Sequence, residues 1–295
     1  MRTLIHLMRF VVALALLVVA PLAFAQADNA PNLKLTAFLS ASAKLPLTSG
    51  LHWRIYTDLA KPDGTRDLVN ESSAAAPAFT LASGAYIVHV SFGLAGANKR
   101  IVIDKAVTDR LVLNAGALTL RPVLGSSALP ANQVAMSIFV PERNNSEAKL
   151  VVQSAKPGEL IPLPEGRYHV KSVYLDTVGV GALDASPGSA APTNSAVAAD
   201  ITVQTGKVTD VTLRHRAATI TLKLVNKPGG EALANTSFTV LTPGGDVIRE
   251  LIGAFPSLVL AEGDYVAIAR HDGKTFQGEF QVQSTYDHDI EVLTK

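Results

Sequence analysis

Apolar and polar positions alternate with a period of two along nearly all of the chain from Leu33 onward. Leu33-Lys-Leu-Thr-Ala-Phe38, Ala117-Leu-Thr-Leu-Arg121 and Thr219-Ile-Thr-Leu-Lys-Leu224 carry the pattern. So do Leu51-His-Trp-Arg-Ile-Tyr56, Met136-Ser-Ile-Phe-Val140 and Ser237-Phe-Thr-Val-Leu241. Such alternation predicts half-buried strands, and no segment past the first 25 residues has a convincing helical period. Pro62-Asp63-Gly64, Arg143-Asn-Asn-Ser146 and Pro243-Gly244-Gly245 interrupt it as hairpin turns, since Gly and Asn tolerate the positive φ such turns need.

A second regularity is longer. Leu-x-x-Gly-x-Tyr occurs three times, as Leu81, Gly84 and Tyr86, as Leu163, Gly166 and Tyr168, and as Leu260, Gly263 and Tyr265. Residue frequencies predict about 0.05 chance matches, so the motif marks a repeat. The glycines are 82 and 97 residues apart, a period that suits a whole small domain. Each motif sits among about seven short strands, the signature of an antiparallel β-sandwich. In the corner the leucine ends one strand facing the core and the glycine permits the sharp turn. The tyrosine begins the next strand with its ring buried and its hydroxyl within reach of a backbone group. In copy three, either Tyr265-Ala267-Ala269 or Val266-Ile268 can face inward.

The expected fold class is therefore all-β, with three tandem antiparallel β-sandwich domains of transthyretin-like or immunoglobulin-like topology after an N-terminal signal peptide. The boundaries are 1–25 for the signal, 31–115, 117–215 and 218–295. Thr177 to Ala198, dominated by Gly, Ala, Ser and Pro, reads as an insertion in the second domain, a spacer or a binding loop. Asn114-Ala-Gly116 and Arg216-Ala-Ala218 are short linkers that restrict domain orientation.

The export reading rests on Arg2 and Arg9, the apolar run Phe10 to Ala25, and Ala23-Phe24-Ala25 as the cleavage pattern before Gln26. The run is shorter than the roughly 20 residues of a spanning helix, and Pro21 breaks it. The expected location is periplasmic or secreted, with no transmembrane anchor after cleavage. The whole chain has 26 basic and 25 acidic residues, and loss of the signal leaves 24 against 25. A near-neutral chain without a basic block makes nucleic acid an unexpected partner. Zero cysteines exclude disulfides, thiol nucleophiles and thiolate metal sites.

Phe79-Thr-Leu-Ala-Ser-Gly84-Ala-Tyr86-Ile-Val88 and Leu258-Val-Leu-Ala-Glu-Gly263-Asp-Tyr265-Val-Ala267 resemble the carboxypeptidase-regulatory-like, or transthyretin-like, β-sandwich superfamily. Leu241-Thr-Pro-Gly-Gly-Asp-Val247 and Arg270-His-Asp-Gly-Lys274 look like segments of exported bacterial proteins of this kind. The resemblance implies accessory, adhesive or assembly modules without catalytic residues. Copy two departs from it at Pro162, at Pro164 and in the insertion.

Chemical motifs are sparse. Gly-x-Ser-x-Gly, His-Glu-x-x-His and a phosphate loop are missing from the sequence. His52, His89, His169, His215, His271 and His288 have no ligand spacing and read as surface or strand residues. Asp287-His288-Asp289 reads as an exposed hairpin rather than a cation site. Trp53 alternates with Leu51 and Ile55, which places it in the core, whereas a sugar-stacking platform would need exposure. Arg214-His-Arg216 reads as a junction contact. No catalytic, cofactor-binding or metal-binding residue is expected, and no cofactor. The expected function is a non-enzymatic exported envelope protein that binds or scaffolds through its sandwiches. A protein partner in the envelope is expected first, and exposed edge strands could receive it. A carbohydrate or cell-wall module taking a glycan, and an unrecognised hydrolase, are the alternatives.

Overall fold

The computed structural model describes residues 30–176 and 191–295, which form an all-β chain of three successive sandwiches. The expected signal segment and residues 177–190 lie outside the described residues. The first sandwich (module 1) contains β1 (Leu33–Phe38), β2 (Leu51–Thr57), β3 (Leu68–Ser72), β4 (Ala78–Phe79), β5 (Gly84–Phe92), β6 (Ala95–Ile103) and β7 (Val107–Val112). Module 2 contains β8 (Ala115–Leu124), β9 (Ser127–Ala128), β10 (Val134–Glu142), β11 (Asn145–Val152), β12 (Ile161–Pro164), β13 (Gly166–Asp176), β14 (Ala191–Val203) and β15 (Val208–His215). Module 3 contains β16 (Ala217–Val225), β17 (Ser237–Leu241), β18 (Val247–Ile252), β19 (Ser257–Ala261), β20 (Gly263–His271), β21 (Lys274–Val282) and β22 (His288–Leu293).

The pairing scheme is the same three times. One sheet is built on three strands, β4-β1-β7, β12-β8-β15 or β19-β16-β22, with the short β9 added beside β8 in module 2. The other has four, β3-β2-β5-β6, β11-β10-β13-β14 or β18-β17-β20-β21. An immunoglobulin constant-type sandwich instead groups strands one, two, five and four against three, six and seven. Every pair here is antiparallel except one per module: the first strand runs parallel to the last, as β1 with β7, β8 with β15 and β16 with β22. The chain therefore leaves each module at the end opposite its entry, and the modules follow one another end to end.

Period-two patterning fills three interiors. Leu33, Leu35, Trp53, Ile55, Val88 and Val90 build the first, all at most 1% exposed. Leu118, Leu120, Met136, Ile138, Leu163 and Val170 build the second, each 0% exposed. Ile220, Leu222, Phe238, Val240, Ala267 and Ala269 build the third, also at 0%. The inward face of β20 is thus Tyr265-Ala267-Ala269, with Val266 and Ile268 half-buried on the outside. Trp53 belongs to the core, its Nε1 donating to the Ala74 carbonyl at 3.1 Å.

Two features of copy two depart from the sequence expectation. Residues 191–198 of the expected insertion are strand, paired with β13 as the start of β14. Their small polar side chains form specific bonds there. Thr193 Oγ1 donates to Tyr174 O at 2.8 Å, and Ser195 engages His215. Pro162 and Pro164 are accommodated because β12 is the outer strand of its sheet, where a missing N–H is tolerated.

Both linkers are fastened alike. The carbonyls of Asn114 and Arg216 accept from the N–H groups of Glu165 and Glu262, at 3.0 and 2.9 Å. Those of Ala115 and Ala217 accept from Gly206 and Thr285, at 2.8 and 2.9 Å. Arg216 also forks onto Glu262, at 3.0 and 2.7 Å. Across the second junction, Asp176 Oδ2 accepts the Val259 N–H at 3.0 Å. Asn194 accepts the Ala261 N–H at 2.8 Å and donates to the Tyr265 hydroxyl at 2.7 Å.

Candidate binding surface

The three motif corners share one geometry. Tyr86 donates to Ala82 O at 3.0 Å, Tyr168 to Pro164 O at 2.9 Å and Tyr265 to Ala261 O at 2.8 Å. A Cβ on Gly84, Gly166 or Gly263 would meet the ring of its tyrosine at 3.8, 3.8 or 3.9 Å, so each ring lies across its glycine. Gly84 and Gly263 have φ +158 and +154, which L residues rarely adopt, whereas Gly166 is not among the positive-φ glycines. Leu81, Leu163 and Leu260 are buried, as are Tyr168 and Tyr265, while Tyr86 is half-buried. Burial raises the phenol pKa of Tyr168 and Tyr265, the latter against a smaller lowering from Asn194.

The residue after each corner tyrosine points outward and lies in a row across the four-stranded sheet. In module 1 the row is Leu68, Tyr56, Ile87 and Arg100. In module 2 it is Leu150, Phe139, His169 and Asp200. In module 3 it is Val247, Leu241, Val266 and Glu279. The outermost member is an exposed aliphatic every time, with 50% of Leu68, 46% of Leu150 and 59% of Val247 accessible. The next two members are half-buried in all three modules.

A β-bulge produces this arrangement. The ladder slips between Ile55 and Tyr56, between Ile138 and Phe139, and between Val240 and Leu241. The extra residues on the outer strand are Val69, Val151 and Ile248. Val151 and Ile248 pack against their cores, while the preceding aliphatic is left facing out. Bulges re-aim side chains and also hinder edge-to-edge pairing. The edges β3, β11 and β18 are thus poor templates for an added strand, and the sheet face beside them is the better docking surface.

The motif pattern missed this row, although a signal was present. Leu68-Val69, Leu150-Val151 and Val247-Ile248 each begin 13 residues before the motif leucine. Two adjacent aliphatics break the period of two at a fixed offset, which is how a repeated bulge reads in sequence.

At the turn end of the row in modules 2 and 3 lies a cleft. In module 2 it measures about 640 Å³ and is lined by Pro141, Arg167, Tyr168, Asp200 and Ile201, among others. In module 3 it measures about 470 Å³, with Pro243, Asp264, Tyr265, Val266, Glu279 and Phe280 around it. Register places these on the same repeat positions. The matching positions in module 1 include Asp58 and Arg100, joined by a forked ion pair at 2.8–3.0 Å. The hydrogen bond from Arg100 holds the Asp58 carboxyl below its ordinary pKa.

Two serines and a histidine meet in the interior of module 2. Ser172 Oγ lies 2.9 Å from His215 Nε2 and Ser195 Oγ 3.0 Å from His215 Nδ1. Their exposures are 0, 1 and 3% for Ser172, His215 and Ser195, so no substrate reaches the hydroxyls. Burial lowers the His215 pKa, opposed by a main-chain hydrogen bond with Ser195. A neutral His215 satisfies both serines and ties β15 to the opposite sheet. The remaining chemically suggestive residues are also engaged. Asp287 accepts the Thr219 N–H at 2.7 Å, and Asp289 faces Lys223 at 3.4 Å.

The sequence model of one family, described as a Rhizobiales growth-associated tandem repeat domain, matches residues 219–294, which is module 3. No curated protein matches the chain. Among solved structures, the Bacillus anthracis TIE protein aligns over 90% of this chain and 50% of its own, at 16% identity and TM-score 0.26. The chain thus spans half the length of that structure. The minor pilin of Streptococcus agalactiae aligns over 62% and 94%, at 15% identity and TM-score 0.28. A Bacteroides ovatus protein described as an adhesin aligns over 61% and 90%, at 10% identity and TM-score 0.33. TM-scores this far below 0.5 give these likenesses no functional weight. Among the described residues, no helix is long and apolar enough to cross a membrane.

Proposed function

We propose that the chain is a non-enzymatic exported envelope protein that binds another protein on the outer faces of its four-stranded sheets. One observation carries this reading. An exposed aliphatic, a half-buried apolar residue and a bulge recur at the same repeat position in all three modules. The core does not use the exposed aliphatic, and threefold recurrence of exposed apolar residues suits an interaction surface. The strand order supports transthyretin-like, carboxypeptidase-regulatory-like modules over immunoglobulin-like ones. The family matched by module 3 is described as a tandem repeat associated with growth, which suits a scaffold of the envelope.

The test is in-cell cross-linking with a photoreactive residue at Leu68, Leu150 or Val247, with Lys34 and Arg121 on the three-stranded sheets as controls. The reading expects one species captured from the row positions and not from the controls. Equal capture from both sets, or none, counts against it.

A second reading is a glycan-binding module. It rests on Phe255 and Tyr286, which are 58 and 61% exposed in module 3, since stacking on sugars needs accessible rings. Co-sedimentation with envelope polysaccharide, lost in the Phe255→Ala/Tyr286→Ala protein, would favour it over protein binding.

A further inference from the structure

At the junction end of module 2 the interior changes character. Module 1 fills this place with Val90, Ala95 and Leu113, all buried and apolar. Counting from the corner tyrosines and the linker carbonyls, module 2 has Ser172, Ser195 and His215 there. The sandwich of module 1 closes without polar groups at these positions, so the histidine and its serines answer some other need. The place adjoins module 3. His215 directly precedes the linker, and Asn194, the neighbour of Ser195, holds the Ala261 amide and the Tyr265 hydroxyl.

The strand that covers the ring is built to lift. β14 is the outer strand of its sheet, and its ladder with β13 is irregular between Val173 and Leu175. In module 1 the corresponding hairpin turns between Phe92 and Ala95, whereas in module 2 both strands run on and reach β19. Side-chain bonds secure the Thr193–Ser195 stretch. Thr193 donates to Tyr174 O at 2.8 Å, Ser195 Oγ meets His215 Nδ1 at 3.0 Å, and Asn194 reaches module 3.

We propose that Thr193–Ser195 is a latch between modules 2 and 3 that opens when His215 takes up a proton, leaving the second junction with main-chain linker bonds of the kind that hold the first. A neutral imidazole donates from one nitrogen and accepts at the other, which two hydroxyls can match. A protonated ring donates from both, so the serine that had donated to it must turn its proton away. The charge would also sit in an interior where only 1% of the residue is exposed.

The surroundings do little to offset that charge. β13 contributes Tyr174, its ring centroid 5.9 Å from that of His215. Burial raises the Tyr174 phenol pKa, with Asp176 and Asp287 adding to it. Both carboxylates are already engaged, by the Val259 and Thr219 N–H groups. β8 places Leu124 opposite His215. Arg214 and Arg216, on either side in sequence, are exposed, the latter paired with Glu262. Lifting the latch gives the ring to water, where it titrates near about 6.5. Burial holds the closed ring below that value, so the open form gains the proton first. The opening constant then rises by up to about tenfold per pH unit below about 6.5.

The test is amide exchange at Ala261 in the full chain between pH 7.5 and 5, corrected for the intrinsic rate and repeated in low urea. Opening is expected to rise about 30-fold across this range, with little urea dependence, because a local opening exposes little surface. The Glu165 amide at the first junction should stay within about threefold. His215→Gln keeps a donor and an acceptor but cannot titrate, and should flatten the Ala261 profile. Ser195→Ala, which leaves the ring in place, should raise Ala261 opening about tenfold already at pH 7.5. Three results overturn the proposal: pH-independent opening at Ala261, the same acid rise in His215→Gln, or unchanged opening in Ser195→Ala. So does exchange at Ala261 that matches Val170 in rate and urea dependence, since that reports unfolding of the whole module.

Discussion

Each corner tyrosine brings a phenol to the edge of an apolar interior, where an unpartnered hydroxyl would cost about 1–3 kcal/mol. The carbonyl four residues earlier accepts it in every module, but the three corners are not equally loaded. Tyr86 is half-buried with that one bond, whereas Tyr265 also receives Asn194 from module 2. Tyr86→Phe should therefore cost about 0.5–1 kcal/mol and Tyr265→Phe about 2 kcal/mol, the difference being the stranded Asn194 amide. Urea unfolding of the two variants measures it, and equal losses would contradict it.

The other residue-scale device is His215, whose folded pKa lies below its unfolded value because burial disfavours the charged ring. The unfolded chain then takes up a proton as pH falls through about 6.5, while the folded chain does not. Stability is complete above that pH and declines below it, down to the depressed folded pKa. His215→Leu should remove this slope between pH 7 and 5. It should also lose about 2–4 kcal/mol by leaving the Ser172 and Ser195 hydroxyls unpaired. The corners were legible in the sequence because Leu, Gly and Tyr each have a local job. The His215 bonds were not, because Ser172 and Ser195 stand 43 and 20 residues away and only pairing brings them together.

At the scale of elements, strands were readable wherever one face is wet and the other dry. The pattern failed where small polar residues do the pairing. Residues 191–198 have the composition of a spacer, yet they complete β14 because Thr193 and Ser195 bond to neighbouring strands. The outward aliphatics of the bulged strands β3, β11 and β18 went unread because two adjacent apolar residues erase the alternation. The bulge itself makes a prediction. Deleting Ile248 would restore a continuous ladder with β17, since Val247 already pairs Leu241 and Arg249 pairs Val240. A flat edge invites edge-to-edge pairing. The deletion variant should self-associate at micromolar concentration in analytical ultracentrifugation, and sedimentation identical to the parent would contradict the protective role given to the bulge.

For the molecule as a whole, the parallel pairing of first and last strands dictates an end-to-end arrangement, and the linker hydrogen bonds repeat at both junctions. The second junction adds Asp176 and Asn194, which fill backbone donors of β19. Asn194→Ala should speed amide exchange at Ala261 by about fivefold, the loss of one hydrogen bond of roughly 1 kcal/mol. Unchanged exchange would mean that the junction is held elsewhere. This coupling was illegible in the sequence, since Asn194 lies in the segment whose composition reads as a spacer.

The central claim is that the outer faces of the four-stranded sheets are where this chain meets a partner, and amide exchange of the purified complex with the cross-linked species tests it most directly. Protection is predicted over Tyr56, Leu68 and Ile87 and their repeats at Phe139, Leu150 and His169, and at Leu241, Val247 and Val266. Protection confined to the three-stranded sheets, or to the loops bearing Phe255 and Tyr286, would contradict it.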